Sequence, residues 1–435
     1  MTATVAETRE VGSPPAAPRD DATVAFASAR PPPPPSASPL SGPTRVASID
    51  VVRGIVIFTM IVVNDIAGVS GVPAWFKHIQ PPNADGMTFV DVVFPAFLFV
   101  VGMSIPFALG GRLARGEPWW RVLAHVLART IGLLIIGVLM VNMDDAADDG
   151  SGFSPTLWQG LVYTAVIVTW LAPPVATRRG RVVTIVVRCV GAAALVWLAS
   201  QYQGRNGAWL RTQWWGILGL IGWAYLVASL VYLAVRERSP HLVAALALLI
   251  GVCICDKEGG FAWLPLGRYV DVGGALGSLA ATSVAGVLLA TIIRDDAPSL
   301  GRRLVYAIGS GAALAAGAML LDPLYGINKI AATPSWVLWS AAIMCWLWAA
   351  VAWVVDVHGW TRWSVPFRIG GEAPLMAYIL HPLLYTVLIL AGLNGTLLGW
   401  GDNGFGPGLT RAILIAMLVT VGAGLLGRAG LRLRL

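Results

Sequence analysis

The sequence predicts an all-α protein, a polytopic transmembrane bundle of about twelve helices with eleven as the alternative, and three observations predict it. Of the 435 residues, 57% are hydrophobic and only 12% are charged, roughly half the charged share of soluble domains. Twelve apolar stretches follow one another along the chain, most of them long enough to cross a hydrocarbon core of ~30 Å. Arginines gather in every second loop, the asymmetry that membrane insertion leaves behind. A water-soluble surface cannot be built from so few charges, so the length implies one lipid-embedded bundle and not two or three soluble domains.

Taken in order, residues 1–45 are rich in Ala, Pro, Ser and Thr, include the run Pro31 to Pro35, and have no apolar period. They are expected to be a disordered tail with a short polyproline stretch. Residues 46–435 are expected to form the transmembrane domain. No signal peptide is expected, because the first long apolar segment starts near Ile49 and lacks a small-residue cleavage site. The remaining stretches lie near 88–110, 119–141, 157–175, 181–200, 214–235, 240–255, 274–293, 303–321, 334–356, 372–398 and 409–428. The stretch 240–255 is the shortest, and without it every later loop would change sides.

With the amino terminus inside, the cytoplasmic loops carry Arg112, Arg115 and Arg121, then Arg178, Arg179 and Arg181, Arg236 and Arg238, Arg294, Arg302 and Arg303, Arg362 and Arg368, and finally Arg428, Arg432 and Arg434. The opposite loops hold only Lys77, Arg205, Arg211, Lys257, Arg268, Lys329 and Arg411, with Asp144, Asp145, Asp148 and Asp149 in one of them. This bias places both termini in the cytoplasm. It also accounts for the net charge of +7 without a nucleic-acid partner; lipid is the partner implied. The cysteines Cys189, Cys253, Cys255 and Cys345 lie in apolar stretches without zinc-finger spacing, so no metal is expected.

Polar groups at the membrane edge are costly and therefore mark candidate chemistry. Asn64 and Asp65 stand at the outer end of the first helix, His78 and Asp85 in the following loop, Asp91 in the first turn of the second helix, and Asp322, Asn328 and Lys329 in the 9–10 loop. Topology puts all of these on one face. Each has an ordinary reading as well: Asp91 suits a helix amino terminus, Asp50 and Arg53 are spaced as a structural pair, and a loop histidine is commonly solvated.

The runs Arg45-Val-Ala-Ser-Ile-Asp50-Val-Val-Arg53-Gly54, Val63-Asn64-Asp65, Trp75-Phe76-Lys77-His78, Gly86-Met-Thr-Phe-Val-Asp91-Val-Val-Phe94-Pro95 and Phe97-Leu-Phe-Val-Val-Gly102-Met-Ser104 together resemble the heparan-alpha-glucosaminide N-acetyltransferase-like membrane family, including its bacterial branch. Trp215 to Tyr225, Val270-Asp271-Val-Gly273-Gly274, and Asn328-Lys329 through Thr333-Pro334-Ser335 extend the resemblance, which covers the chain from Arg45 to about Pro382. It implies transfer of an acetyl group from cytoplasmic acetyl-coenzyme A to a small-molecule or glycan acceptor across the membrane, with the bacterial inner membrane as the location. It also implies that His78 is the active histidine and that Asn64 matches the family's helix-end asparagine. The sequence departs from the family in its longer Asn64–His78 loop, in Glu372 where an asparagine is usual, and in Leu279 where a histidine is often seen. Heparan sulfate itself is not the expected substrate.

A histidine, with an ordinary pKa of about 6.5, can take the proton of an attacking amine or hydroxyl, and an amide such as Asn64 can face a developing oxyanion. Asp65, Asp85 or Asp91 would fix the histidine tautomer, with Asn328 and Lys329 in support. Arg112, Arg115, Arg302 and Arg303 are the candidate ligands for coenzyme A phosphates. A homodimer is compatible with the sequence but not required by it. The competing class is a transporter or flippase, which would use Asp91, Asp322, Glu372 and His381 without covalent chemistry.

Overall fold

The computed structural model describes residues 47–435 apart from residues 80, 82, 148–152, 176, 206 and 295–298; the predicted disordered tail lies outside the described residues. The described chain is an all-α bundle. Its helices are α1 (Ala47–Ile66), α2 (Phe89–Ala114), α3 (Trp119–Val141), α4 (Pro155–Trp170), α5 (Arg178–Ser200), α6 (Gly216–Val235), α7 (Ser239–Lys257), α8 (Leu279–Arg294), α9 (Leu300–Tyr325), α10 (Pro334–Ala352), α11 (Val365–Gly370), α12 (Pro374–Leu390), α13 (Asn394–Leu398) and α14 (Phe405–Arg428). Wider turns of π-helix, Val272–Ser278 and Trp353–Val357, lead into α8 and out of α10.

Every predicted apolar stretch contains a helix, and the polytopic bundle stands, although by length and composition one of the twelve falls short of a full span. Among the described residues, ten helices are long and apolar enough to span a membrane, and an eleventh span results if α12 is joined to the helical stretch Arg362–Gly370 across a 79° bend. The shortest predicted stretch, 240–255, is not the shortfall, since α7 has 19 residues and qualifies. The shortfall is α4, whose 16 residues make a helix of about 24 Å. Pro173 and Pro174 stop it, because proline lacks an N–H and disfavours a helical residue before it. The chain leaves α4 as a two-residue strand, β1 (Leu171–Ala172), which pairs antiparallel with β2 (Arg432–Leu433) from the carboxyl-terminal tail. Arg434 N–H also donates to Trp170 O at 2.9 Å, so backbone groups that α4 cannot satisfy find partners in the tail.

Sequence hydropathy does not separate lipid-facing helices from enclosed ones; packing does. In the span containing α8, 83% of the apolar window is buried, against 17% in α5 and 22% in α9. The outer surfaces of α5 and α9 present Val183, Val186, Val190, Ile308 and Leu320. Inside, α2 and α8 lie backbone to backbone: a Cβ on Gly102 would sit 1.9 Å from Ser283 O, and one on Gly286 2.0 Å from Phe99 O. Small residues permit this approach, which substitutes for the hydrophobic drive that lipid cannot supply.

The chain returns antiparallel between α1 and α2. The start of α1 therefore meets the end of α2, where Arg53 Nη2 donates to Ser104 Oγ at 2.9 Å, and the predicted Arg53–Asp50 pair is present at 2.9 Å. The opposite end of the bundle gathers the end of α1, the loop before α2, the turn between α9 and α10, and the ends of α12 and α14 that face it.

Candidate functional site

The loop between α1 and α2 is anchored by Phe76, a buried ring in a short turn that packs on Phe89 and Phe405 at 5.6 and 5.7 Å. Two residues later His78 stands exposed at the surface. Its Nδ1 lies 2.7 Å from Asp91 Oδ1, and the Asp91 side chain is only 1% exposed. The other carboxylate oxygen, Oδ2, accepts the N–H groups of Thr88 at 2.9 Å and Ile79 at 3.3 Å and the Thr88 hydroxyl at 3.2 Å. Both readings of Asp91 thus hold at once: one oxygen caps α2 and the other holds the histidine. An ionised carboxylate accepts, so the Nδ1–H donates to it and the lone pair is left on Nε2.

The turn between α9 and α10 is sewn to this loop. Buried Asn328 donates to Ala84 O at 2.8 Å and Pro81 O at 3.3 Å, and accepts from Ala331 N–H at 2.9 Å. Asp85 Oδ1 accepts from Ile327 N–H at 2.7 Å, and Gly86 N–H donates to Ile327 O at 2.8 Å. Asn328 and Asp85 are therefore scaffold for the site and do not reach His78. What they hold in place is Lys329, whose Nζ is 3.1 Å from His78 Nε2 and 3.2 Å from Nδ1. Burial pushes the Lys329 ammonium below its usual 10.5, with the Asp91 charge partly offsetting this.

Asn64 and Asp65 belong to a second constellation at the same end. Asp65 is buried; its Oδ2 accepts from Arg411 Nε at 3.3 Å, its Oδ1 accepts the Tyr385 hydroxyl, and His381 Nε2 lies 3.5 Å away, an ion-pair distance. Arg411, predicted as a loop cation, is 6% exposed in the first turns of α14 and also donates to Asp402 at 2.6 Å. Asn64 is exposed on the wall of the adjoining cavity.

Three of the cavities in the described bundle have lining residues in common. The first, about 270 Å³, is at the end where α1 begins and is lined by Arg53, Ser104, Arg129, Tyr225, Glu372 and Tyr378. The second, about 470 Å³, shares Tyr378 with the first and contains Asn64, Gln159, Tyr163, His381 and Trp214. The third, about 610 Å³, shares Trp214 and Ile217 with the second, and Lys329, Asp271, Trp215, Tyr269 and Trp336 line it. Arg129 is an intramembrane cation, set over the Tyr225 ring at 4.8 Å with its Nε unpartnered.

The four arginines predicted for coenzyme A do not line these cavities. Arg112 pairs with Glu117 at 3.1 Å, Arg115 closes the end of α2 through its backbone, Arg302 reaches the Tyr306 hydroxyl at 3.4 Å, and Arg303 donates its N–H to Ser299 O. Arg53 and Arg129 are the arginines that line the first cavity. The signal for Arg129 was present in the sequence as an arginine within an apolar stretch. No group of three or more candidate metal ligands occurs among the described residues.

Comparison with known proteins gives the following. The family described as Domain of unknown function (DUF5009) matches residues 45–263, half of the chain. Heparan-alpha-glucosaminide N-acetyltransferase of Homo sapiens is 37% identical over 101 residues, which is 23% of this chain and 14% of the human protein. The Mus musculus protein of the same name is 34% identical over 103 residues, 23% of this chain and 15% of the mouse protein. The match thus spans about one seventh of the length of these relatives.

Proposed function

The chain belongs to the DUF5009 family and is similar over part of its length to N-acetyltransferases, and from that premise we propose that it is a membrane acyltransferase that moves an acetyl group from cytoplasmic acetyl-coenzyme A to an amino sugar or glycan hydroxyl at the outer face. The observation that carries this reading is the His78–Asp91 pair, a 2.7 Å contact that orients the ring and leaves Nε2 facing outward as a base.

In this reaction the acceptor's amine or hydroxyl gives its proton to His78 Nε2 as its nitrogen or oxygen bonds to the thioester carbonyl carbon. Asp91 stabilises the imidazolium that forms. The tetrahedral intermediate collapses with cleavage of the C–S bond, and His78 returns the proton to the departing thiolate. Acetylated acceptor and free coenzyme A result, with no redox change.

The donor's phosphates call for cations at the opposite end, and Arg53 and Arg129 fit that need better than Arg112, Arg115, Arg302 or Arg303, since they line a cavity that shares Tyr378 with the middle one. The string of cavities offers the acyl arm a route past Tyr378 and Asn64. The aromatic chamber of Trp214, Trp215, Tyr269 and Trp336 offers flat apolar faces and few polar groups, a lining suited to a sugar ring. The proposed topology has both termini in the cytoplasm of a bacterial cell, with the His78 face outside.

Coenzyme A release by the purified full chain, measured with acetyl-coenzyme A and a panel of amino sugars and glycans, tests the reading. Acceptor-dependent release is expected; a transporter would leave the thioester intact. A reporter fused after Asp145 should read outside the cytoplasm and one after Arg179 inside, and finding both on one side would overturn the proposed orientation.

A further inference from the structure

Resting on that reading, we propose that Lys329 is a catalytic residue, the cation that takes the negative charge of the thioester carbonyl oxygen in the tetrahedral intermediate. The geometry is the first support. Nζ is almost equidistant from the two ring nitrogens of His78, at 3.1 and 3.2 Å. A donor lying along the Nε2 lone pair would be much farther from Nδ1. The ammonium therefore stands over the imidazole face and leaves the lone pair open for the acceptor's proton. A nucleophile held at Nε2 brings the carbonyl it attacks within reach of Nζ.

The second support is rigidity. Lys329 sits in a turn where Asn328 accepts Ala331 N–H, Thr333 N–H donates to Asn328 O at 3.1 Å, and Lys257 Nζ donates to Ala331 O at 2.6 Å. Ala332 is held at φ 48°, a left-handed conformation that an L-residue keeps only where its surroundings enforce it. A cation fixed before the reaction stabilises developing charge without reorganising, which is what an oxyanion donor requires.

The third is charge balance. As the reaction proceeds the imidazole becomes positive and the carbonyl oxygen negative. Asp91 already faces the first of these, and among the described residues Lys329 is the cation whose contact with the ring places it to face the second. Asn64, the residue that resemblance suggested for this duty, lines a different cavity from Lys329.

The proposal is tested with the full chain, Lys329→Met and Lys329→Arg, assayed for acetyl transfer from acetyl-coenzyme A to the amino-sugar panel, with thermal melting of each. Lys329→Met should lower kcat by roughly 10²–10³-fold with little change in either KM, the mark of a contact made in the transition state. Lys329→Arg should recover part of that loss because it keeps the charge. Unchanged melting excludes a structural origin for the loss. Transfer by Lys329→Met at the parental rate overturns the role of Lys329 and leaves the acyltransferase reading standing; absence of transfer by the parental chain overturns both.

Discussion

Two histidine–aspartate pairs stand at the same end of the bundle, and they differ in nearly every respect that bears on chemistry. At His78 the carboxylate is buried and the ring is exposed, the contact is 2.7 Å, and a lysine lies over the ring. At His381 the carboxylate is buried and the ring is half-buried, the contact is 3.5 Å, and the carboxylate is already engaged by Tyr385 and Arg411. The first pair has an accepting nitrogen open to a ligand. The second joins α1, α12 and α14 through a saturated carboxylate, which makes it a joint in the bundle. Residue identity is the same in the two places; exposure and the count of competing partners divide them.

Substitutions can break that division. The largest expected effect is that of His78→Ala, which should lower acetyl transfer by roughly 10²–10⁴-fold, the usual contribution of a positioned base, with little change in melting because the ring is exposed and Asp91 keeps the donors of Thr88 and Ile79. Asp65→Ala should do the reverse. It removes one of the two carboxylates that hold buried Arg411, Asp402 remaining at 2.6 Å, and should cost about 1.5–3 kcal/mol of stability, read by thermal melting in detergent, while the rate per folded molecule stays near parental. A catalytic collapse in Asp65→Ala with intact melting would show that the second pair is chemical after all.

Asn64→Ala sharpens the boundary between the two regions. Because Asn64 faces the middle cavity, its loss should cost less than about tenfold in rate, under ~1.4 kcal/mol, and should fall mainly on the KM for acetyl-coenzyme A. A hundredfold fall in kcat would place the amide at the reacting carbonyl. The smallest effect is one of pH. Among the charged groups facing the Lys329 ammonium are His78, Asp91 and, across the cavity, Asp271, with Lys257 bonded to the same turn, and burial has lowered its pKa. As pH rises through that lowered value the rate should fall, below the 10.5 of an ordinary lysine. Stability should rise slightly over the same interval, since the folded state releases the proton before the unfolded one does. In Lys329→Arg the basic limb should be absent.

The helices were legible because a twenty-residue apolar run in lipid has few alternatives, and the Asp50–Arg53 pair because it is a three-residue spacing on one helix. The early end of α4 could have been read from Pro173 and Pro174 but was hidden by an apolar stretch that continues through them. His78 and Asp91 were both named from the sequence; what spacing could not supply was the choice of Asp91 over Asp65 and Asp85, because the loop between them folds back by an amount that Phe76 and Asn328 set. The Asp65–Arg411 contact joins residues 346 positions apart, and no local pattern announces such a pair. Arg411 looked like a loop cation because it lies within two turns of the start of α14, a distance over which hydropathy cannot separate a solvated arginine from one turned inward.

The short α4 has a consequence for the lipid around the protein. At about 24 Å against a core of ~30 Å, α4 is mismatched by roughly a fifth of the membrane thickness. Lipids against it must compress or tilt, at a cost of a fraction of a kcal/mol for each ångström, and water and headgroups come correspondingly closer to the midplane on that flank. Its neighbour on the inner side is the middle cavity, into which α4 sends Gln159 and Tyr163. Where the barrier between the two aqueous phases is thinnest, the distance that the proposed acyl transfer has to bridge is shortest.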